Sequence, residues 1–232
     1  MRNLLGHDRR TRFEALQRVE WLGVAGEDLL HALVAQSRWV DLRDGEVLAR
    51  RGQVLDNLIV VSQGQLELSM TGRNGRRHVV RTQGMGDVFG LIPLIDGETV
   101  IHDAQSAGAS AVVLVPKEAL LEALKHSHAV VMALLKTLCK RSRSSYERIA
   151  DQSLLSIRGR LAKLLSKMVA DANGAQVFHL SQSVLAETVG VSRQSLQTEL
   201  KRFVQDGLIE LAYDSITVKN LQALHKMVKR EA

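Results

Sequence analysis

Apolar residues recur three to four positions apart over residues 1–37, with a break near Gly23 and Gly26. The set comprises Phe13, Leu16, Val19, Leu22, Leu29, Leu30, Leu33 and Val34. Residues at this spacing share one face of an α-helix. The pattern therefore predicts short helices that lead into a domain and carry no chemistry of their own.

Between Trp39 and Val115 the pattern changes to short β-prone runs separated by glycines. The apolar runs at residues 58–61 and 66–68 flank Gly64, which predicts the two arms of a hairpin. Many short strands with glycine turns are typical of an antiparallel jelly roll or barrel, although the spacing alone leaves a sandwich open.

A long helical pattern extends from Lys117 to about Ser153. Within it, apolar and then polar residues form a heptad-like seam: Val131, Leu135, Leu138, Ser142, Ser145, Ile149 and Gln152. On a solitary helix this seam would expose apolar side chains, so we expect it to pair with its own copy across a two-fold axis. Packing of the helix on its own β domain is the alternative interpretation.

The remaining residues alternate between helical and strand-like patterns. After a break at residues 154–156, residues 157–170 predict an amphipathic helix. Near the end of the chain, residues 208–211 and 216–218 predict a β-hairpin wing, and residues 220–230 predict a last helix.

Between these elements, residues 178–208 predict two short helices joined by a tight turn. Ser181 is the expected N-cap of the first, Gly190 ends it, and Ser192 is the N-cap of the second. The second helix has an apolar face of Leu196, Leu200, Phe203 and Val204 and an opposite face of Arg193, Gln194, Gln197, Thr198 and Lys201. Because those polar side chains can bond to base edges and phosphates, the pattern predicts a DNA-binding helix-turn-helix.

Net charge, cysteine count and the length of apolar runs restrict the class of protein to which the chain can belong. The chain of 232 residues has a formal net charge of +6 and a pI near 9.7, which fits a polyanionic partner, although a basic protein without one is the alternative. The single Cys139 excludes an internal disulfide. Neither a signal peptide nor an apolar run of membrane-spanning length is present, so we expect a cytoplasmic protein without a membrane partner.

The predicted order of β domain, long helix and winged helix-turn-helix resembles the CRP/FNR family of bacterial transcription regulators. The motifs that carry the resemblance are Asp44-Gly45-Glu46, Arg51-Gly52, Val61-Ser62-Gln63-Gly64, Gly84-Met85-Gly86-Asp87-Val88-Phe89-Gly90, Gly159-Arg160-Leu161-Ala162 and Val191-Ser192-Arg193-Gln194-Ser195-Leu196. The resemblance covers nearly the whole chain. It implies an α+β fold with an N-terminal antiparallel β jelly roll or barrel, a long dimerisation helix and a C-terminal winged helix-turn-helix.

The expected domains are a cyclic-nucleotide-binding-like effector domain at residues 1–116, a dimerisation helix and hinge at 117–155, and a DNA-binding domain at 156–232. The resemblance implies a homodimer on a pseudo-palindromic site of double-stranded DNA, with RNA polymerase and a small-molecule effector as further partners. The alternative is a regulatory module that responds to cyclic AMP or a related nucleotide.

In this family, bases are commonly contacted by an Arg that follows the capping Ser and by residues one and five positions further on. These positions are Arg193, Gln194 and Thr198 here. Arg193 can bond bidentately to guanine, whereas Gln194 and Thr198 stand where the family often has Glu and Arg, so the half-site should differ there. Candidate phosphate contacts are Ser181, Ser192, Lys201 and Arg202, with a merely solvated face as the alternative for the last two.

Family members that bind cyclic AMP carry Gly-Glu after a barrel glycine and an Arg-Ser pair further along the chain. The residues of this chain at the effector pocket implied by the resemblance are Gly90, Leu91, Ile92, Ile101, His102, Ser145 and Tyr146. Leu91 replaces the carboxylate and Ile101 the guanidinium, and burying a phosphate without a counter-charge costs several kcal/mol. We therefore expect no tight cyclic-AMP binding in the family's usual pose, although His102 could partly neutralise a phosphate.

Other cofactors and activities find less support. One cysteine cannot hold an iron–sulfur cluster, and no spacing singles out a haem ligand among His78, His102, His126 and His128. We expect Cys139 to be a buried, inert thiol rather than a redox sensor. No catalytic or metal-ligand pattern stands out, because His126 and His128 lack a third ligand, so an enzyme is not expected. Two options remain for the barrel: it binds an unknown apolar or mixed effector, or it has lost its ligand and acts constitutively.

Overall fold

In the computed structural model, the described residues are 9–72, 75, 77–179, 182–212 and 215–231. The chain folds as two compact units, Met1–Lys140 and Arg141–Ala232, called the N-terminal and C-terminal units below.

The N-terminal unit contains one antiparallel sheet with helices on one side. Its elements are α1 (Arg9–Gln17), α2 (Glu27–Gln36), β1 (Arg38–Leu42), β2 (Val47–Ala49), β3 (Asn57–Thr71), β4 (Arg77–Gln83), β5 (Val88–Phe89), α3 (Leu91–Asp96), β6 (Asp103–Pro116), α4 (Lys117–His126) and the first part of α5 (His128–Leu154). The strand order is β1-β6-β3-β4, with β2 beside β6 and β5 beside β3.

The central strands β3 and β6 are buried on both faces because their side chains alternate between two apolar clusters. Leu58 and Val60 belong to the helix-side cluster, which includes residues of α1, α2 and α4. Ile59 and Val61 belong to the interior cluster, which the strands enclose. This double burial explains the continuous apolar runs at residues 58–61 of β3 and 111–115 of β6. The predicted fold class, an antiparallel β domain followed by a helix-turn-helix, is confirmed.

The hairpin predicted around Gly64 is wrong, because β3 passes through this position as one strand of 15 residues. The pairing of β3 with β6 shifts register on both sides of Gln63. Gly64 has a φ of 70°, and a Cβ there would lie 2.4 Å from Ser110 Oγ and 2.6 Å from the Ala109 carbonyl oxygen. The glycine therefore permits an irregularity within a long strand rather than a chain reversal.

The single long helix predicted from Lys117 is interrupted at Ser127. This residue ends α4 with extended dihedrals of φ −132° and ψ 94°. Its Oγ accepts a hydrogen bond from the Val130 amide at 3.3 Å, so the same residue caps α5.

The C-terminal unit combines the rest of α5 with a winged helix-turn-helix. Its further elements are α6 (Ile157–Asp171), β7 (Val177–Phe178), α7 (Gln182–Val189), α8 (Arg193–Gln205), β8 (Ile209–Ala212), β9 (Ser215–Val218) and α9 (Leu221–Glu231). The predicted wing pairs with the unpredicted β7 in the order β7-β9-β8. The core includes Leu161, Leu165, Leu196, Phe203 and Leu224. Val204 is 42% exposed, not part of the apolar face, because one residue rotates a helix by about 100° past Phe203.

We predict that Gly64→Ala lowers the free energy of unfolding of the N-terminal unit by at least about 3 kcal/mol, because the new Cβ would overlap backbone and side-chain atoms. The matched control is Gly108→Ala, which has a φ of 77° but nothing within 4 Å of the new Cβ, so only backbone strain of about 1 kcal/mol applies. Both tryptophans, Trp21 and Trp39, are buried in this unit, so denaturation followed by their fluorescence reports on it. Equal losses for the two variants would contradict the steric explanation.

Candidate nucleic-acid interface and sensor residues

Helix α8 is oriented by a capped turn and a buried back face. Gly190 follows α7 with a φ of 75°, a left-handed conformation that glycine favours. Ser192 Oγ then accepts a hydrogen bond from the Ser195 amide at 3.1 Å, which caps α8 as predicted. On the inner face, Leu196, Leu200 and Phe203 are fully buried.

The outer face of α8 is exposed at Arg193, Gln194, Thr198 and Lys201. Within the described part of the chain, neither Arg193 nor Lys201 forms an ion pair. Gln197 Nε2 donates to Gln182 Oε1 at 3.2 Å and so links α8 to α7. The structure thus brings the predicted base-contacting residues together on one exposed surface.

The hydroxyl of Thr198 is used within the helix. Its Oγ1 donates to the Gln194 carbonyl oxygen at 3.1 Å. Thr198 therefore has no hydroxyl hydrogen left to donate, and its methyl group suits an apolar surface such as the thymine methyl.

The candidate phosphate contacts differ in their surroundings. Ser181 lies outside the described residues. Ser192 Oγ contacts Ser195 Oγ at 2.8 Å in addition to capping the helix. Lys201 is exposed and unpaired among the described residues, whereas Arg202 Nη1 donates to Glu199 Oε1 at 2.6 Å. Lys201 is thus the cation with the greater freedom to meet a phosphate.

Sequence reasoning missed a charged cluster behind α8. Glu199 is only 7% exposed, although it lies on the recognition helix between core leucines. Besides Arg202, Arg158 of α6 approaches it, with Nη1 3.9 Å from Glu199 Oε2. The same guanidinium bonds to Asp206 and lies 5.2 Å from the centre of the Phe203 ring. A glutamate at an apolar-face position of the pattern was the available signal.

The net positive charge is concentrated in the unit that contains α8. Residues 141–232 hold 14 of the 31 lysines and arginines but only 9 of the 25 acidic residues, which gives that unit five of the six net charges. This distribution favours a polyanion as the ligand of the C-terminal unit.

The proposed sensor residues of the N-terminal unit differ in how deeply they are buried. Gly90 precedes α3 with a φ of 90°. Leu91 is 4% exposed and belongs to the helix-side cluster. Ile92 and Ile101 are about half exposed, at 53% and 51%. The positions that would carry the cyclic-AMP-binding Glu and Arg are therefore a core leucine and a surface isoleucine.

The surroundings of His102 disfavour its protonated form. Burial lowers the pKa of His102 below its usual value, and the charge of Arg51 lowers it further against an opposing effect of Asp103. Asp103 Oδ1 also accepts a hydrogen bond from the Arg51 backbone amide at 2.9 Å. Arg51 is thus a cation near this region that the sequence analysis did not single out as a sensor residue.

Helix α5 has a buried face and an exposed face. Val130, Leu134 and Thr137 are buried in the N-terminal unit. The predicted seam lies elsewhere: Val131 and Leu138 are half-buried, Leu135 and Ile149 are 48% and 60% exposed, and Ser142 and Ser145 are exposed. Tyr146, the second α5 residue of the predicted effector pocket, is 71% exposed.

The expectation of a buried thiol at Cys139 is wrong, since this residue is exposed. It lies four residues after Leu135 and therefore next to the exposed seam of α5. Across the described ranges, no three His, Cys, Asp or Glu residues are grouped as metal ligands. In the same part of the chain, none of the helices combines the length and hydrophobicity of a membrane span.

Two family models match successive parts of the chain. The cyclic nucleotide-binding domain matches residues 39–127, and the Crp-like helix-turn-helix domain matches residues 159–227. Together they include α8 and most of the N-terminal unit.

Curated relatives are similar over most of their length. The CRP-like cAMP-activated global transcriptional regulator of Mycobacterium tuberculosis is 24% identical, with 85% of this chain and 91% of that protein covered. The HTH-type transcriptional regulator Cmr of the same organism is 25% identical, with coverages of 85% and 79%. Among solved structures, the c-di-GMP responsive global regulator CLP of Xanthomonas campestris has a TM-score of 0.67 at 18% identity, covering 84% of this chain and 100% of that one.

Proposed function

This chain belongs to the CRP/FNR family of transcription regulators, and we propose that it binds a pseudo-palindromic DNA site as a homodimer. Each α8 would enter a major groove, with Arg193, Gln194 and Thr198 at the base edges. Ser181, Ser192, Lys201 and Arg202 would contact phosphates, Lys201 most freely. The observation that carries this proposal is the division of α8 into a fully buried back face and an exposed front whose charges are unpaired among the described residues.

The dimer in this proposal forms along the exposed seam of α5. Pairing of two copies of α5 would remove the side chains of Leu135 and Ile149 from water. A few polar seam positions such as Ser142 would fix the register of the two helices. The proposal assigns the effector domain to residues 1–116, the dimerisation helix and hinge to 117–155 and the DNA-binding domain to 156–232. It includes a cytoplasmic location, RNA polymerase as a partner and no catalytic role.

The effector in this proposal is not cyclic AMP in the family's usual pose. Leu91 is part of the core and Ile101 is exposed, so neither supplies a counter-charge or a ribose contact. Burial and Arg51 lower the pKa of His102, which disfavours its cationic form. A module that responds to cyclic AMP or a related nucleotide is the second candidate. It is favoured by the domain model at residues 39–127 and by the cyclic-AMP-activated relative.

We predict that Arg193→Ala lowers the preference for a selected palindrome over random DNA by at least about tenfold, because the bidentate guanine contact is lost. Salt-dependent binding to random DNA should persist through the phosphate contacts. Binding of both DNAs would be measured by fluorescence anisotropy across a salt series. Lys201→Ala is the matched control and should weaken both DNAs alike with a flatter salt dependence. If Arg193→Ala does the same, Arg193 is not a base contact.

Substitutions at Thr198 separate its methyl group from its hydroxyl. Thr198→Val keeps a methyl and removes only the hydroxyl that bonds within α8, so the selected half-site should stay the same. Thr198→Ser should lower the preference for thymine at one base pair by about fourfold, the value of one buried methyl. Sequencing of DNA selected from a random pool measures both. A changed half-site in the Val variant would show that the hydroxyl contacts DNA instead.

For the effector, we expect isothermal calorimetry with cyclic AMP to show no binding in the micromolar range and cyclic AMP to leave DNA affinity unchanged. The physical reason is the missing counter-charge for the phosphate. Tryptophan fluorescence would verify that the N-terminal unit is folded in the sample. Micromolar binding would favour the second candidate, the nucleotide-responsive module.

A further inference from the structure

The carboxylate of Glu231, on α9, binds the junction between α5 and α6. Ser156 donates to it twice, from its backbone amide to Oε2 at 2.8 Å and from its Oγ to Oε1 at 2.8 Å. Ser156 Oγ in turn accepts the Gly159 amide at 3.1 Å as the N-cap of α6. A negative charge at the N-terminus of this 15-residue helix is stabilised by unpaired backbone N–H groups and by the helix dipole.

The close approach of this carboxylate depends on Gly159. A Cβ at that position would lie 2.3 Å from Glu231 Oε2 and 2.9 Å from its Cδ. Any other residue at 159 would push the carboxylate away from the N-terminus of α6. In this chain the glycine of the Gly-Arg motif therefore provides the space that Glu231 occupies.

The first turn of α6, which Glu231 binds through Ser156, also contacts the buried side of α8. Arg158, between Ser156 and Gly159, bonds to Asp206 at the end of α8 and stacks over Phe203. It is also one of the two cations beside the buried Glu199. Glu231 is therefore linked to α8 by its bonds to Ser156, by the backbone of the first turn of α6 and by the contacts of Arg158.

We propose that Glu231 is a positioning residue for α8, acting through Ser156 and Arg158. This inference rests on the proposed sequence-specific DNA binding. Base contacts require a fixed placement of the helix, whereas contacts with the phosphates are less demanding and carry no sequence information. Loss of Glu231 should therefore reduce the discrimination between DNA sequences more than it reduces binding as such.

The test compares the affinity of full-length variants for the selected palindrome and for random DNA. Glu231→Ala should lower the ratio of the two affinities about tenfold, as for a lost hydrogen bond to a charged group, while binding to random DNA stays unchanged. Ser156→Asp in the Glu231→Ala background should restore the ratio, because an Asp N-cap supplies a carboxylate without α9. Glu147→Ala, at an exposed glutamate of the same unit, is the matched control and should have no effect.

Two further variants test whether a folding defect explains the result and whether Arg158 takes part. Glu231→Gln keeps the size of the side chain and should lower the ratio less than Glu231→Ala. Arg158→Ala should also lower the ratio, and the double variant should lose less than the product of the single losses, since both act on one series of contacts.

An unchanged ratio in Glu231→Ala, an equal loss on both DNAs, or multiplicative losses in the double variant would each overturn the inference. If the unmodified protein itself does not discriminate between the DNAs, the proposed function fails and the inference falls with it.

Discussion

Helix α8 is held from behind by buried contacts, while Arg193 and Lys201 on its front form no ion pair within the described residues, and the DNA-binding function depends on this division. Leu196, Leu200 and Phe203 bury the back of the helix. Glu199 adds a nearly buried carboxylate, which would cost several kcal/mol without the guanidinium groups of Arg158 and Arg202 beside it. The charge behind the helix is thus balanced within the unit, whereas Arg193 and Lys201 on the outer face form no ion pair with the described residues.

In the N-terminal unit, the corresponding constraint is the double burial of β3 and β6. Side chains of these strands belong alternately to a helix-side cluster and an interior cluster, so residues 58–61 and 111–115 are apolar at every position. The chain keeps the glycine framework of its family around this sheet but differs at the residues that would meet a cyclic phosphate. Leu91 contributes to the core instead, and Arg51 is the cation that acts on His102.

Helix α5 has two faces that correspond to the two interpretations of its sequence pattern. Its buried face, with Val130 and Leu134, packs within the N-terminal unit, as one interpretation of the pattern required. Its seam, with Leu135 and Ile149, stays exposed. The other interpretation, pairing with a second copy of the helix, concerns this exposed seam. The two sets interleave along one helix because neighbouring residues differ by about 100° in direction.

The sequence by itself determined the features that depend on neighbours within a few positions: the helical periods, the Ser192 cap, the Gly190 break and the exposed face with Arg193. The family resemblance, confirmed by the domain models, came from the order of these local patterns. Only the tertiary structure decided that Gly64 lies inside a strand, because that depends on pairing with β6. It also revealed the cluster around Glu199 and the bond between Ser156 and Glu231, which are 75 residues apart. The partners in such contacts cannot be read from the sequence pattern, since each contact joins residues that only folding brings together.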